Sequence, residues 1–297
     1  MTRTTPIRWN HLHLDIPEQW DVIVKDKRHL ILEQELRPII EMRWQPPAQK
    51  SRGDAGEKIA KQLEPGRIFT RRQGQNGALP AGLNDKFKVD TFRLDNSPED
   101  TVLLLTCKSC ATALLIRIYH RSIGTFEAFA PVLGSLNCHP DPAALAGWQI
   151  QDFYFSIPAG FELQSSSFRF GLTSLNFTSS AAELRLCRLA PASQHLQQNS
   201  LSALFQSFSS APPEKQTAAQ PSTLHFRHVP TLSEYLWGRI RRKKPYQTSS
   251  FIHFPHHDRI LGYSIRSRTP IETWVETMLE EGYGIIPKEE AAAGPDA

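Results

Sequence analysis

The sequence predicts an α+β protein built as two tandem repeats, each an antiparallel β-sheet with helices packed against it. Three observations predict it. The phrase HLDIPEQW at 13–20 returns as YFSIPAGF at 154–161. Later segments also match, at offsets that grow slowly in one direction: 14–20 meets 155–161 at 141, 41–43 meets 183–185 at 142, and 114–121 meets 261–268 at 147. Insertions into a duplicated chain produce that drift. Finally, both halves alternate apolar and polar residues at period two, with a few stretches at helical period between them.

The elements follow in the same order in each half. The first strand carries Leu12, Leu14 and Ile16, or Phe153, Phe155 and Ile157, and stops at Pro17 or Pro158, because proline has no N–H for a central ladder. Trp9 and Trp148 precede those prolines by eight and ten residues, so matching them needs a two-residue slip. A second strand, folded back as a hairpin, spans 22–35 and 167–179. The third, PIIEMRW or AELRLCRL, alternates so that Glu and Arg face outward and bulky residues inward. Helices are expected at 57–63 and 194–208, the latter with Leu196, Leu201, Leu204, Phe205 and Phe208 mostly on one face. A fourth strand, KFKVDTFRL or TLHFRHV, leads into a hairpin. Each half then closes with a helix, at 125–136 and 271–282, the last with Thr269-Pro270 as N-cap and first turn. Repeat one is placed at 1–145, repeat two at 146–286, and a disordered tail at 287–297.

This order, opening with a strand that ends in IPxxW/F, resembles the PsbP-like fold, an antiparallel sheet sandwiched by helices. The resemblance spans most of each half and implies architecture. PsbP-like proteins serve as photosystem subunits, transport accessories and binding modules, and share no catalytic residues to carry over. Fold does not fix function.

Composition narrows the class. Of 297 residues, 40% are apolar and 22% charged, as in ordinary globular chains, and the net charge of +4 only permits an acidic partner. The amino-terminal residues show no secretory h-region, and no stretch approaches ~18 uninterrupted apolar residues, so neither a signal nor a membrane span is expected. Four cysteines in a chain this long do not read as a disulfide framework, and a bacterial cytoplasm is the expected compartment. There is no G-x-S-x-G, P-loop, G-x-G-x-x-G or H-E-x-x-H, so no catalytic residue is assigned and no enzyme is expected.

Three polar clusters remain. The segment 235–246 joins Trp237, Arg239, Arg241, Arg242, Lys243 and Lys244 to Tyr235 and Tyr246. Its first reading is a solvated loop or a dock for an acidic protein partner, which makes the chain a non-enzymatic accessory or scaffold within a larger assembly. Phosphate neutralisation with aromatic stacking makes nucleic acid the alternative partner. Next, Cys107 and Cys110 sit at a hairpin turn and Cys138 follows the next helix. A C-x2-C pair can hold one tetrahedral zinc if further ligands are supplied, here by Cys138 and by His120 or another residue. No cofactor is expected otherwise, and the second repeat has Phe254 and His257 where the first has Cys107 and Cys110. Last, His253, His256, His257 and Asp258 read as a polar turn in preference to a metal site, because neighbouring hairpin side chains point to opposite faces.

Overall fold

A computed structural model describes residues 3–46, 69–71, 79–80, 82–95, 97–120, 129–138, 145–158, 160–209, 215–217, 222–241, 243–272, 275–276, 279 and 282–286. Among them the strands form three antiparallel sheets, two of seven strands and one of five, and every helix is nine residues or shorter. The expected α+β sandwich is therefore corrected to a mainly antiparallel β fold. Segments 4–9 and 215–217, where no strand was expected, are strands. The expected helix at 57–63 and the tail at 287–297 lie outside the described residues, as does half of 271–282. The helix expected at 125–136 is described only as Ala130–Ser135. That expected at 194–208 is two helices, because Ser200 caps the second through Ala203 N–H to Ser200 Oγ (3.2 Å) after Asn199 has left helical geometry at φ −141°.

The chain divides into two compact units, 1–142 with 149–151, and 143–148 with 152–297. Unit one opens with β1 (Thr4–Trp9) and β2 (Leu12–Pro17), joined by Asn10 and His11 at φ 45° and 70°. Positive φ at both positions is what a two-residue hairpin needs to match strand twist. The main sheet has the order β3–β4–β5–β9–β8–β7–β6, from β3 (Asp21–Asp26), β4 (His29–Gln34), β5 (Arg37–Gln45), β6 (Phe69–Arg71), β7 (Phe87–Leu94), β8 (Ser97–Cys107) and β9 (Ala113–Ile118). In β8 all of Val102, Leu103, Leu104 and Leu105 are buried, so an interior strand with both faces covered replaces alternation by a continuous apolar run. Helices α1 (Leu83–Lys86) and α2 (Ala130–Ser135) complete the unit.

The strands of unit two follow in the same order, while the described helices fall at other places along the chain. Strands β10 (Leu145–Ile150) and β11 (Phe153–Pro158) flank a turn with Gln151 at φ 57°. The seven-stranded sheet runs β12–β13–β14–β18–β17–β16–β15, from β12 (Glu162–Arg169), β13 (Leu172–Thr178), β14 (Ala182–Leu189), β15 (Lys215–Thr217), β16 (Ser222–His228), β17 (Tyr246–Phe254) and β18 (Arg259–Ser267). Strand for strand this is the order of the first sheet. Helices α3 (Ala192–Gln198) and α4 (Leu201–Ser209) cover part of it, with Phe205 and Phe208 packed on Phe251 at ring distances of 5.5 and 5.1 Å. Helix α5 (Leu232–Ile240) stands between β16 and β17, and β19 (Gly284–Ile285) pairs with β11.

The IPxxW/F phrases close the same turn in both units: Trp20 N–H donates to Pro17 O (3.0 Å) and Phe161 N–H to Pro158 O (3.4 Å). The aromatics differ. Trp20 is buried and meets Phe129 at 6.2 Å, whereas Phe161 is half-buried. The two-residue slip between Trp9 and Trp148 is also corrected. The strand bounds of the two hairpins correspond at an offset of 141, which sets Trp9 against Ile150 and Ile7 against Trp148 without a slip, all four buried.

Candidate functional sites

The first half of the polar segment 235–246 is helical, within α5, while Arg241, Lys243 and Lys244 follow the helix in the connection to β17. A capping box starts α5: Thr231 N–H donates to Glu234 Oε2 (2.8 Å), while Glu234 N–H donates to Thr231 Oγ1 (3.4 Å). The hydrogen bonds to Thr231 hold the Glu234 carboxyl below its ordinary value. One side of the helix is anchored. Tyr235 meets Tyr246 edge-on at 6.3 Å, and buried Gly238 lies against Pro245, where an added Cβ would already touch the ring at 3.5 Å.

The other side is apolar and faces solvent. Leu232, Leu236 and Ile240 are 76%, 50% and 74% exposed, with Trp237 at 61% beside them. Spacing of four residues puts the first three in one row. The usual amphipathic helix turns such a row towards the core.

The predicted cations divide by environment. Arg241 is exposed and stacks over the Trp237 ring at 5.4 Å; Lys243 is exposed too. Lys244 is drawn into an ion pair with Glu183 at 2.9 Å and is largely covered. Arg242 and the side chain of Arg239 lie outside the described residues. The connection that holds α5 is an excursion: β7 and β8 are joined by two residues (95–96), β16 and β17 by seventeen (229–245).

In unit one the hairpin of β8 and β9 brings the three predicted thiols together. Cys110 Sγ lies 3.4 Å from Cys138 Sγ, and the sulfurs of Cys107, Cys110 and Cys138 all lie within 4.8 Å of one another. The turn is shaped for this: Cys110 N–H points at Cys107 Sγ (3.5 Å), Ala111 N–H donates to Cys107 O (3.0 Å), and Ala111 takes φ 55°. On the other side, Asn137 exchanges main-chain hydrogen bonds with His13 (2.7 and 2.8 Å), and Lys86 Nζ donates to Gly134 O and Leu136 O (both 3.3 Å), which fixes the residues leading to Cys138.

Burial works against ionisation of Cys110, but hydrogen bonding with the side chain and main chain of Thr112, with Cys138 and with Cys107 outweighs it and brings the thiol down to about 7. Burial and then its two sulfur neighbours push Cys138 well up. His120 is no fourth ligand. It bonds Thr101 Oγ1 at 2.7 Å, beside the opposite end of β8 from Cys107.

Two further polar groups serve structure. Asp258 Oδ1 and Oδ2 accept the Ser193 N–H (2.6 Å) and hydroxyl (3.0 Å) at the start of α3, so the His-rich turn spends its carboxylate on a helix terminus. Glu41, expected to face outward, is buried. Its Oε1 accepts from Arg43 (2.8 Å) and contacts His29 Nε2 (2.8 Å), and its Oε2 accepts from Tyr119 (2.6 Å). Burial would raise this carboxyl, yet these partners hold it far below the ordinary range.

No protein-family model matches the sequence, and no curated protein matches it. No helix among the described residues is long and apolar enough to cross a membrane.

Proposed function

We propose that the protein is a non-enzymatic binding component that docks a protein partner through α5, the partner offering an apolar groove rimmed by carboxylates. The observation that carries this reading is the solvent-facing row Leu232, Leu236 and Ile240 with Trp237 alongside. An i, i+4, i+8 row is the anchor pattern of helix-in-groove recognition. Exposed Arg241 and Lys243 at the end of the helix select acidic groove walls and speed encounter at low salt. A second copy of the same helix would bring like charges together. Nucleic acid is disfavoured because the apolar row has no phosphate to meet and the Trp237 ring already carries Arg241. The matching strand order of the two sheets supports a further reading, that the halves are copies of one ancestral domain.

The test is co-purification from the native host with wild-type chain and with Leu236→Asp and Ile240→Asp. The expected result is a partner retained by the wild type at low salt, weakened by salt, and lost with both variants while their melting curves stay unchanged. A chain recovered alone at every salt, or a partner indifferent to both substitutions, overturns the proposal. So does binding to anionic vesicles or single-stranded RNA that the same substitutions abolish, since α5 would then serve lipid or nucleic acid.

A further inference from the structure

We infer that unit one holds a zinc ion through Cys107, Cys110 and Cys138, at the junction of the β8–β9 turn and the end of α2. Three thiols from two segments converge, with Cys110 and Cys138 28 residues apart in the chain and in contact through their sulfurs. In a tetrahedral zinc site with Zn–S of about 2.3 Å, neighbouring sulfurs stand about 3.8 Å apart. The 3.4 Å between Cys110 and Cys138, and the 4.8 Å bound on the whole set, bracket that spacing. Only small side-chain rotations separate the arrangement from a coordinated one.

The surroundings are those of a ligand loop. The N–H of Cys110 directed at Cys107 Sγ is a donor that stabilises a coordinated thiolate, as outer-shell partners of metal ligands do. Ala111 in the left-handed region turns the chain back so that both sulfurs of the C-x2-C pair point the same way. Cys107 and Cys138 are buried while Cys110 is half-exposed, so the cluster opens to solvent on one side. That opening admits the ion and leaves the fourth position to water. Thiolate donors select soft ions, and zinc is the common one that needs no redox chemistry. The site is independent of α5, which belongs to unit two.

The experiment uses the full chain, expressed with zinc in the medium and purified under reducing conditions without chelator. Elemental analysis is expected to find about one zinc per chain. Cobalt(II) added to the metal-free protein is expected to give the intense absorption of tetrahedral thiolate coordination, displaced by zinc. Cys138→Ser is expected to lose both signals and Cys187→Ala in unit two to keep them. Zinc far below stoichiometry together with no tetrahedral cobalt spectrum in the folded, reduced wild type overturns the inference. Because that measurement needs no variant, it decides the matter even if Cys138→Ser fails to fold. A mass two hydrogens lower, assigned to a bond between Cys110 and Cys138 in protein isolated under these conditions, overturns it as well.

Discussion

Gly262 shows how closely one position can be specified. On β18 it stands between Cys187 of β14 and Phe251 of β17, its register partners on either side. A Cβ there would fall 2.2 Å from Phe251 Cε1 and 2.9 Å from Cys187 Sγ, so the Phe251 ring occupies the volume that a side chain would need. Gly262→Ala is expected to destabilise the protein by about 1–3 kcal/mol, read from the urea midpoint, because a full β-carbon overpacks the site. Nothing in the sequence announces this, since a glycine inside a strand reads as a bulge or weak point. Glu41 was illegible for a similar reason. Alternation placed it outward, but the pattern says which side a residue faces and not whether His29, Arg43 and Tyr119 will close over that side.

At the scale of the element, α5 was misread because its apolar residues do not face the core. Core-facing periodicity is what identifies a helix in sequence, and here Leu232, Leu236 and Ile240 turn away from it. A different signal was present: Thr231 and Glu234, three residues apart, spell a capping box ahead of the helix. Thr231→Ala is expected to cost about 1 kcal/mol and to weaken partner binding more than global stability, checked by comparing urea midpoints with binding curves. Strand β1 was missed because Pro6 sits in its middle and removes one donor from the ladder, yet its pairing with β2 still runs from Thr4–Pro17 to Trp9–Leu12. The thiol cluster was the most legible site, since C-x2-C at a hairpin turn needs only the turn itself to converge. The His120 contribution failed because a six-residue strand separates the two ends of that hairpin.

At the scale of the molecule, several strands were readable along the chain, while their order within the sheets and the layer type were not. Offsets of 142 and 147 join strands in the same places of the two seven-stranded sheets, β5 with β14 and β9 with β18. The helix expected at 194–208 was misjudged only in continuity, because the apolar stripe runs through Asn199 and Ser200, where the chain leaves helical geometry. Each unit carries a buried carboxylate held ionised by basic neighbours. In unit two it is Asp152, which burial would raise but which Arg188 and Arg259 hold low, with contacts of 2.5 and 2.9 Å. A carboxyl depressed on folding contributes stability that is fully present above its unfolded value of about 4 and is lost as pH falls towards the folded value. Both units should therefore lose stability below about pH 4, with no contribution to pH dependence from these groups between about 5 and 8. Glu41→Gln and Asp152→Asn are each expected to cost on the order of 3 kcal/mol at pH 7 and to converge on wild type in acid, measured by urea unfolding across pH.

Trp237 has a consequence for optics. Of the six tryptophans, Trp9, Trp20, Trp44 and Trp148 are buried, while Trp237 lies on the open side of α5 and Trp274 falls outside the described residues. The red edge of the intrinsic emission should therefore respond to α5, and iodide should quench it first. In a Trp274→Phe background, replacing Trp237 with Phe should remove that quenchable fraction, since the other four tryptophans are buried. A partner seated on the helix should move the same emission to the blue and shield it from iodide, so the protein carries its own unlabelled reporter of occupancy.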